Sequence, residues 1–294
     1  MIDIKPRRSV LYLPAANVRA IEKARTLACD AVILDLEDAV APEMKAEARR
    51  QAVTAVRDGG FGRRELVIRI NGQDTPWYEE DLAAVRSARP DAVLLPKVNG
   101  PGDIAACARG LDGDTPVWAM IETARCLFQL EAIAATAQTD RLTCFIMGTN
   151  DLVKELRATF LSGRANILSF LMTAVAAARA HGIAVVDGVY NAFEDDEGFL
   201  AECHQGASMG FDGKTLIHPR QIDPCNQAFS PTEQELAWAR KIVAAFADPG
   251  NANSGAIRID GKMVELLHLA QARYTIALAE ATKSADPVAP AVPG

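Results

Sequence analysis

The sequence lacks several of the short strings that announce a chemistry. No P-loop and no H-E-x-x-H occurs in its 294 residues, which removes the phosphate cradle of NTPases and the zinc helix of metalloproteases. Serine-hydrolase chemistry is set aside with them. The formal net charge is −7 and no long basic run is present, so nucleic acid is not an expected partner. Six cysteines are scattered without a C-x-x-C pair, which speaks for reduced thiols in a cytoplasmic protein rather than a disulfide framework or a zinc site. No apolar run approaches the ~20 residues that span a bilayer, and no signal-peptide core follows the opening MIDIKPRRSV. No membrane partner is expected. Histidine is scarce: His181, His204 and His268 stand alone in helical contexts, and His218 lies in a turn beside Pro219.

What is present is a regular alternation. Short apolar runs recur as SVLYL from 9, AVILDLE from 31, LVIRIN from 66, AVLLPKV from 92, PVWAMIE from 116, CFIMGTN from 144, IAVVDGV from 183 and GFDGKTLI from 210. Continuous apolar character marks parallel strands covered on both sides. Helical patterns separate them. In 17–28, Ala20, Ile21, Ala24, Leu27 and Ala28 make one stripe. In DTPWYEEDL, Asp74 or Thr75 is a candidate cap with Pro76 opening the helix. Eight such repeats, with no G-x-G-x-x-G after the first strand, predict a TIM (β/α)8 barrel over 1–229. Residues 230–283 read as a C-terminal helical extension: Ser230 and Glu233 fit a capping box, and a turn leads into a long helix from IRIDGKMVELL onward. The Pro- and Ala-rich 284–294 reads as a disordered tail.

In such a barrel, chemistry sits at the carboxyl ends of the strands. Those ends carry Asp35, Glu37 and Asp38, then Arg69 and Asn71, Lys97, Glu122, Asn150 and Asp151, and Asp187. Glu122 and Asp151 end adjacent strands, which lie about 4.8 Å apart, so the two carboxylates are placed to share one ion. With no His or Cys nearby, a hard cation such as Mg²⁺ suits them, its shell completed by water and substrate oxygens. Alone, Asp151 would read as a helix cap. Arg69 inside LVIRIN reads structurally as an ion pair with Glu37, and functionally as a clamp for a substrate carboxylate or for developing oxyanion charge. Lys97 in LPKV reads as an ion pair, with Schiff-base chemistry as its functional alternative.

Seven ordered stretches, RSVLYLP, DAVILDLEDAVAPEMKAEAR, VIRIN, LLPKV, MIETA, MGTNDLVKEL and GFDGKTLIHPRQI, resemble the motifs of the citrate lyase β-subunit-like, HpcH/HpaI aldolase family. The resemblance runs from residue 7 to about 280 and points to its CoA-ester lyase branch, the malyl-CoA and citramalyl-CoA lyases. It implies a homotrimer, or a higher homo-oligomer, and Mg²⁺-dependent cleavage or formation of a carbon–carbon bond in a 3-hydroxyacyl thioester. The products would be a 2-oxo acid and an acyl-CoA, with Mn²⁺ as a possible substitute metal. By the same resemblance Glu122 and Asp151 bind the metal, Arg69 contacts the oxo acid, and Glu37 and Asp38 line the pocket; Lys97, by position, joins the substrate site. Relatives carry an aspartate base in a C-terminal G-x-M-x-D motif, where DGKMVELL offers Glu265, with Asp260 the nearest alternative acid. Two other enzyme readings stay open: a citrate lyase β-subunit acting on an acyl-carrier thioester, and a class II aldolase acting on free acids. A catalytically silent scaffold would have no need of three charges converging on one point.

Overall fold

A computed structural model describes residues 4–251 and 254–283, and places them in two compact units. The first, Arg7–Phe229, is a closed parallel barrel of eight strands in sequential order. Its strands are β1 Ser9–Pro14, β2 Ala31–Asp35, β3 Glu65–Arg69, β4 Ala92–Leu95, β5 Val117–Ile121, β6 Leu142–Met147, β7 Ala184–Asp187 and β8 Gly213–Leu216. Each of the eight apolar runs becomes one of these strands. The helices between them are α1 Val18–Ala24, α2 Lys45–Asp58, α3 Tyr78–Ala88, α4 Pro101–Gly110, α5 Leu130–Ala135, α6 Thr149–Glu155, α7 Leu168–His181, α8 Asp196–Met209 and α9 Ile222–Ala228.

Strand parity sorts the core into two layers. Val10, Ala31, Ile33, Val67, Leu94, Trp118, Met120, Cys144, Ile146 and Val186 pack together as a cluster fed only by strands, which is the barrel interior. Residues of opposite parity, such as Val32, Leu34, Ile68, Val93 and Phe145, join the helices in the outer core. At the amino end, the Arg7 guanidinium lies 4.7 Å over the Trp118 ring and pairs with Glu65, closing the base of the barrel. Two steps beyond the inward Ile33, Val67 and Met120 come Asp35, Arg69 and Glu122. The alternation therefore delivers these three charges to one inner rim.

Several local expectations are corrected. The helix predicted over 17–28 stops at Ala24, with Asn17 as its cap accepting the Ala20 amide at 3.1 Å. Neither Asp74 nor Thr75 caps α3: Thr75 Oγ1 donates instead to the Gly72 carbonyl at 2.7 Å, closing a separate turn, and the helix begins at Tyr78.

Among the described residues, the second unit comprises 4–6, 230–251 and 254–283. It holds α10 Glu233–Ala247, a hairpin of β9 Ala256–Ile259 and β10 Lys262–Glu265, and α11 Leu266–Lys283. Its capping box uses Thr232 and Glu235, not Ser230 and Glu233. The Glu235 amide donates to Thr232 Oγ1 at 3.2 Å while the Glu235 carboxylate accepts the Thr232 amide at 2.8 Å. Both pairs have the required spacing, but only the later one leaves Pro231 outside the helix. The turn expected before α11 is the two-residue corner of the hairpin, Asp260-Gly261, with φ of 48° and 79°. Positive φ at both positions is what a type I′ turn demands, and Asp-Gly supplies it. The expected tail, 284–294, lies outside the described residues. No helix among the described residues is long and apolar enough to cross a membrane.

Candidate active site

The carboxyl rim brings Asp35, Glu37, Asp38, Arg69, Lys97, Glu122 and Asp151 together. Arg69 is its fixed point. Its Nε and Nη2 fork onto the two oxygens of Asp35 at 2.7 and 2.6 Å, across the register pair that joins the ends of β2 and β3. Asp35, rather than Glu37, is therefore the carboxylate that orients the guanidinium. It also accepts the Glu37 amide at 2.8 Å, so one side chain sets both Arg69 and the loop after β2. Burial alone would lower the Arg69 pKa, but Asp35 and its neighbours outweigh it and hold the pKa well above the ordinary value. Arg69 also lies 5.0 Å from the centre of the Tyr12 ring, which floors the site.

Glu37 meets the third guanidinium nitrogen differently. Its Oε2 lies 2.7 Å from Arg69 Nη1, yet that oxygen is buried without a hydrogen bond, so the contact is one of charge at a poor angle. Burial pushes the Glu37 carboxyl up to about 7, with Arg69 opposing the rise and Asp38 and Glu122 adding to it. A carboxyl poised there can take or give a proton near neutral pH.

Glu122 follows directly on β5 and is almost wholly buried. Burial raises its pKa against the pull of Lys97. Its Oε1 accepts the Lys97 amide at 2.8 Å. The opposite side of Glu122 needs Gly148: a Cβ there would lie 2.5 Å from both Glu122 Cβ and Oε2. Asp151 is the third residue of α6, so it is not the helix cap. The Lys97 ammonium lies 3.5 Å from Glu122, 3.9 Å from Glu37 and 4.0 Å from Asp38, and contacts Asp151.

That ammonium tests the fit of a metal. One cation, the Lys97 ammonium, is already held against Glu122 and Asp151 by their carboxylate oxygens. Among the described residues no set of three or more His, Cys, Asp or Glu side chains is disposed to hold a metal ion. A two-carboxylate site of this kind fits Mg²⁺, which keeps much of its shell for water and substrate.

Three rim assignments from the sequence are overturned. Asp187 has outward parity and lies under α8, where Arg164 and Lys214 pair with it at 2.7 and 3.1 Å. Asn71 is buried as a brace, donating to Leu36 O at 3.0 Å and Asp81 Oδ2 at 2.6 Å. Asn150 pairs with Asn191 at the surface. Sequence reasoning missed Lys45, whose Nζ donates to Leu36 O, Glu37 O and Asn71 Oδ1 at 2.7 Å each, pinning the loop that carries Glu37. A signal was available, since Lys45 falls on the buried stripe of α2 with Ala48, Ala52 and Ala55. A G-x-S-x-G string, the motif of serine-hydrolase nucleophiles, does occur at 206–210. It ends α8 and runs into the following turn, and Ser208 Oγ donates to Gln205 O at 2.7 Å. The strand-turn-helix setting of a nucleophile elbow is therefore missing. Glu265 ends β10 in the second unit, its amide donating to His268 Nδ1 at 2.9 Å, and Asp260 pairs with Lys241.

The eight-stranded parallel barrel thus gathers a guanidinium and several carboxylates at its carboxyl rim, where enzymes of this fold carry their active sites. Residues 8–219 match the HpcH/HpaI aldolase/citrate lyase family, and the chain belongs to it. A (3S)-malyl-CoA thioesterase of Cereibacter sphaeroides is 49% identical over 94% of this chain and 95% of its own length. The human mitochondrial citramalyl-CoA lyase is 33% identical, covering 95% of this chain and 87% of its own. Protein CitE of Mycobacterium tuberculosis, solved with magnesium, acetoacetate and coenzyme A, superposes with a TM-score of 0.76 at 30% identity, over 94% and 98% of the two chains.

Proposed function

We propose that the protein acts on a 3-hydroxyacyl-CoA of the malyl-CoA kind, with Mg²⁺ held by Glu122 and Asp151, and hydrolyses the thioester. The observation that carries the substrate class is the convergence of the Asp35-locked Arg69 with Glu37, Glu122 and Asp151 on one rim. A dicarboxylic hydroxyacid thioester presents a carboxylate for Arg69 and oxygens for a hard cation. When bound, the ion supplies Lewis-acid polarisation of a substrate oxygen. Arg69 binds the free carboxylate and offsets negative charge that develops beside it. Glu37, whose carboxyl changes protonation near neutrality, takes the proton from the attacking water. The choice of hydrolysis is supported by the 49% identity to a (3S)-malyl-CoA thioesterase.

Carbon–carbon cleavage to glyoxylate and acetyl-CoA is the second reading, favoured by the likeness to the human citramalyl-CoA lyase. In that reaction a carboxylate withdraws the proton of the 3-hydroxyl, and Glu265, delivered within a homotrimer in the cytoplasm, is the proposed base. Incubating the protein with (3S)-malyl-CoA and MgCl2 decides between them. Hydrolysis releases malate and a free CoA thiol; cleavage releases glyoxylate and acetyl-CoA with no free thiol. Formation of neither product pair overturns the substrate class.

A further inference from the structure

Lys97 is held in a conformation that its residue type disfavours. Its φ is 54°, in the left-handed region, although it is neither glycine nor asparagine. The strain of such a residue persists only where its surroundings over-determine it. Here the determinants are visible. The backbone amide donates to Glu122 Oε1 at 2.8 Å. From the same residue the ammonium reaches four carboxylates, lying within 4.0 Å of Glu37, Asp38 and Glu122 and in contact with Asp151. Glu122 and Asp151 are the pair assigned to the metal. The lysine therefore grips one of those ligands by its backbone and covers both by its side chain. The side chain is 37% exposed, so its four-carbon stem has a way out to solvent without movement of the strand.

We propose that Lys97 is a tethered cation that competes with the divalent metal for Glu122 and Asp151. The inference rests on the reading of those two residues as metal ligands. Without the ammonium, the buried Glu37 and Glu122 and the more exposed Asp38 and Asp151 gather negative charge that Arg69 offsets only in part. The ammonium offsets the remainder in the metal-free protein and keeps the rim assembled. A dication entering the same oxygens must displace it, and the apparent affinity falls by the fraction of molecules in which the ammonium already occupies the ligands. Metal binding then frees the ammonium at the mouth, within reach of an anionic substrate.

The test is calorimetric titration of the full chain with MgCl2 alone, with no substrate, on the wild type, Lys97→Met and Lys97→Arg. Lys97→Met keeps the side-chain length and the backbone constraint but removes the charge. It is expected to bind Mg²⁺ about tenfold more tightly and to melt at a lower temperature than the wild type when metal-free. Lys97→Arg, with its charge retained, is expected to stay near the wild-type affinity. Equal or weaker Mg²⁺ binding by Lys97→Met, with a normal wild-type titration, overturns the competition and leaves the metal reading standing. Absence of Mg²⁺ binding by the wild type and by Lys97→Met overturns the metal reading, and the competition with it. Should Lys97→Met not fold, the wild type alone is decisive. The NMR signal of the Lys97 ammonium, shielded from solvent exchange without metal, must shift and lose that shielding as MgCl2 is added. A signal that does not respond to saturating Mg²⁺ refutes displacement.

Discussion

Two clusters of carboxylates and cations in the same barrel unit use nearly the same residue types to opposite effect. Under α8, both oxygens of Asp187 accept hydrogen bonds from Arg164, one also accepts the Gly188 amide, and the other accepts Lys214 at 3.1 Å. Lys214 in turn donates to Glu202 at 2.6 Å. Burial works against the Asp187 carboxylate, yet Lys214 and Arg164 outweigh it and hold its pKa below the ordinary range. At the rim the same competition goes the other way. Burial wins at Glu37 and at Glu122, and Glu37 keeps a buried oxygen with no hydrogen bond. A closed set of partners makes a structural clamp. An incompletely paired set leaves charge and proton affinity for a ligand to use.

The contrast can be broken at its structural end. Lys214→Met removes one partner of a fully buried pair and is expected to cost about 3–5 kcal/mol of stability, read as a fall in urea midpoint. A variant as stable as the wild type would mean that the α8 cluster is no clamp. At the functional end, Glu122→Gln and Asp151→Asn should each lower turnover of (3S)-malyl-CoA at least about 100-fold while leaving the urea midpoint near that of the wild type. Full wild-type activity in excess chelator would remove the metal from the account.

A third effect separates the clusters by pH. The folded-state pKa of Glu37 is raised from 4.5 to about 7, so the folded protein binds more protons than the unfolded chain between those values. The stabilisation this group contributes is complete below about 4.5 and is lost as pH rises through about 7. Metal-free Glu37→Gln should therefore lack that decline and gain about 1–3 kcal/mol over the wild type at pH 8, with hydrolysis slowed. Identical stability profiles from pH 5 to 8 would contradict the raised pKa. The narrowest effect belongs to Glu265→Ala: a loss of about 100-fold or more confined to carbon–carbon cleavage, seen as acetyl-CoA formation, with thioester hydrolysis preserved. Unchanged acetyl-CoA formation would exclude Glu265 as the base.

Much of the barrel was legible because continuous apolar runs and their spacing are local properties. The rim residues were legible for the same reason, since strand ends follow from strand positions. The orientations were not. Asp187 and Glu122 each stand at the end of an apolar run, but opposite parity sends one beneath a helix and the other into the mouth. Without the strand register to anchor it, that parity slips by one residue. Asp35 was counted among the acids after strand two, but its role as the partner of Arg69 depends on a cross-strand pairing that no single segment contains.

The order of strands and helices, the apolar interior and the set of polar residues at the carboxyl ends were determined by the sequence, because periodicity and composition act within one segment. The tertiary structure decided which acid holds Arg69, which lysine stands among the carboxylates and which charges are closed off beneath α8. Those outcomes depend on distances between segments far apart in the chain, and on whether burial or a neighbouring charge prevails at each carboxyl. Both are settled only when the barrel closes.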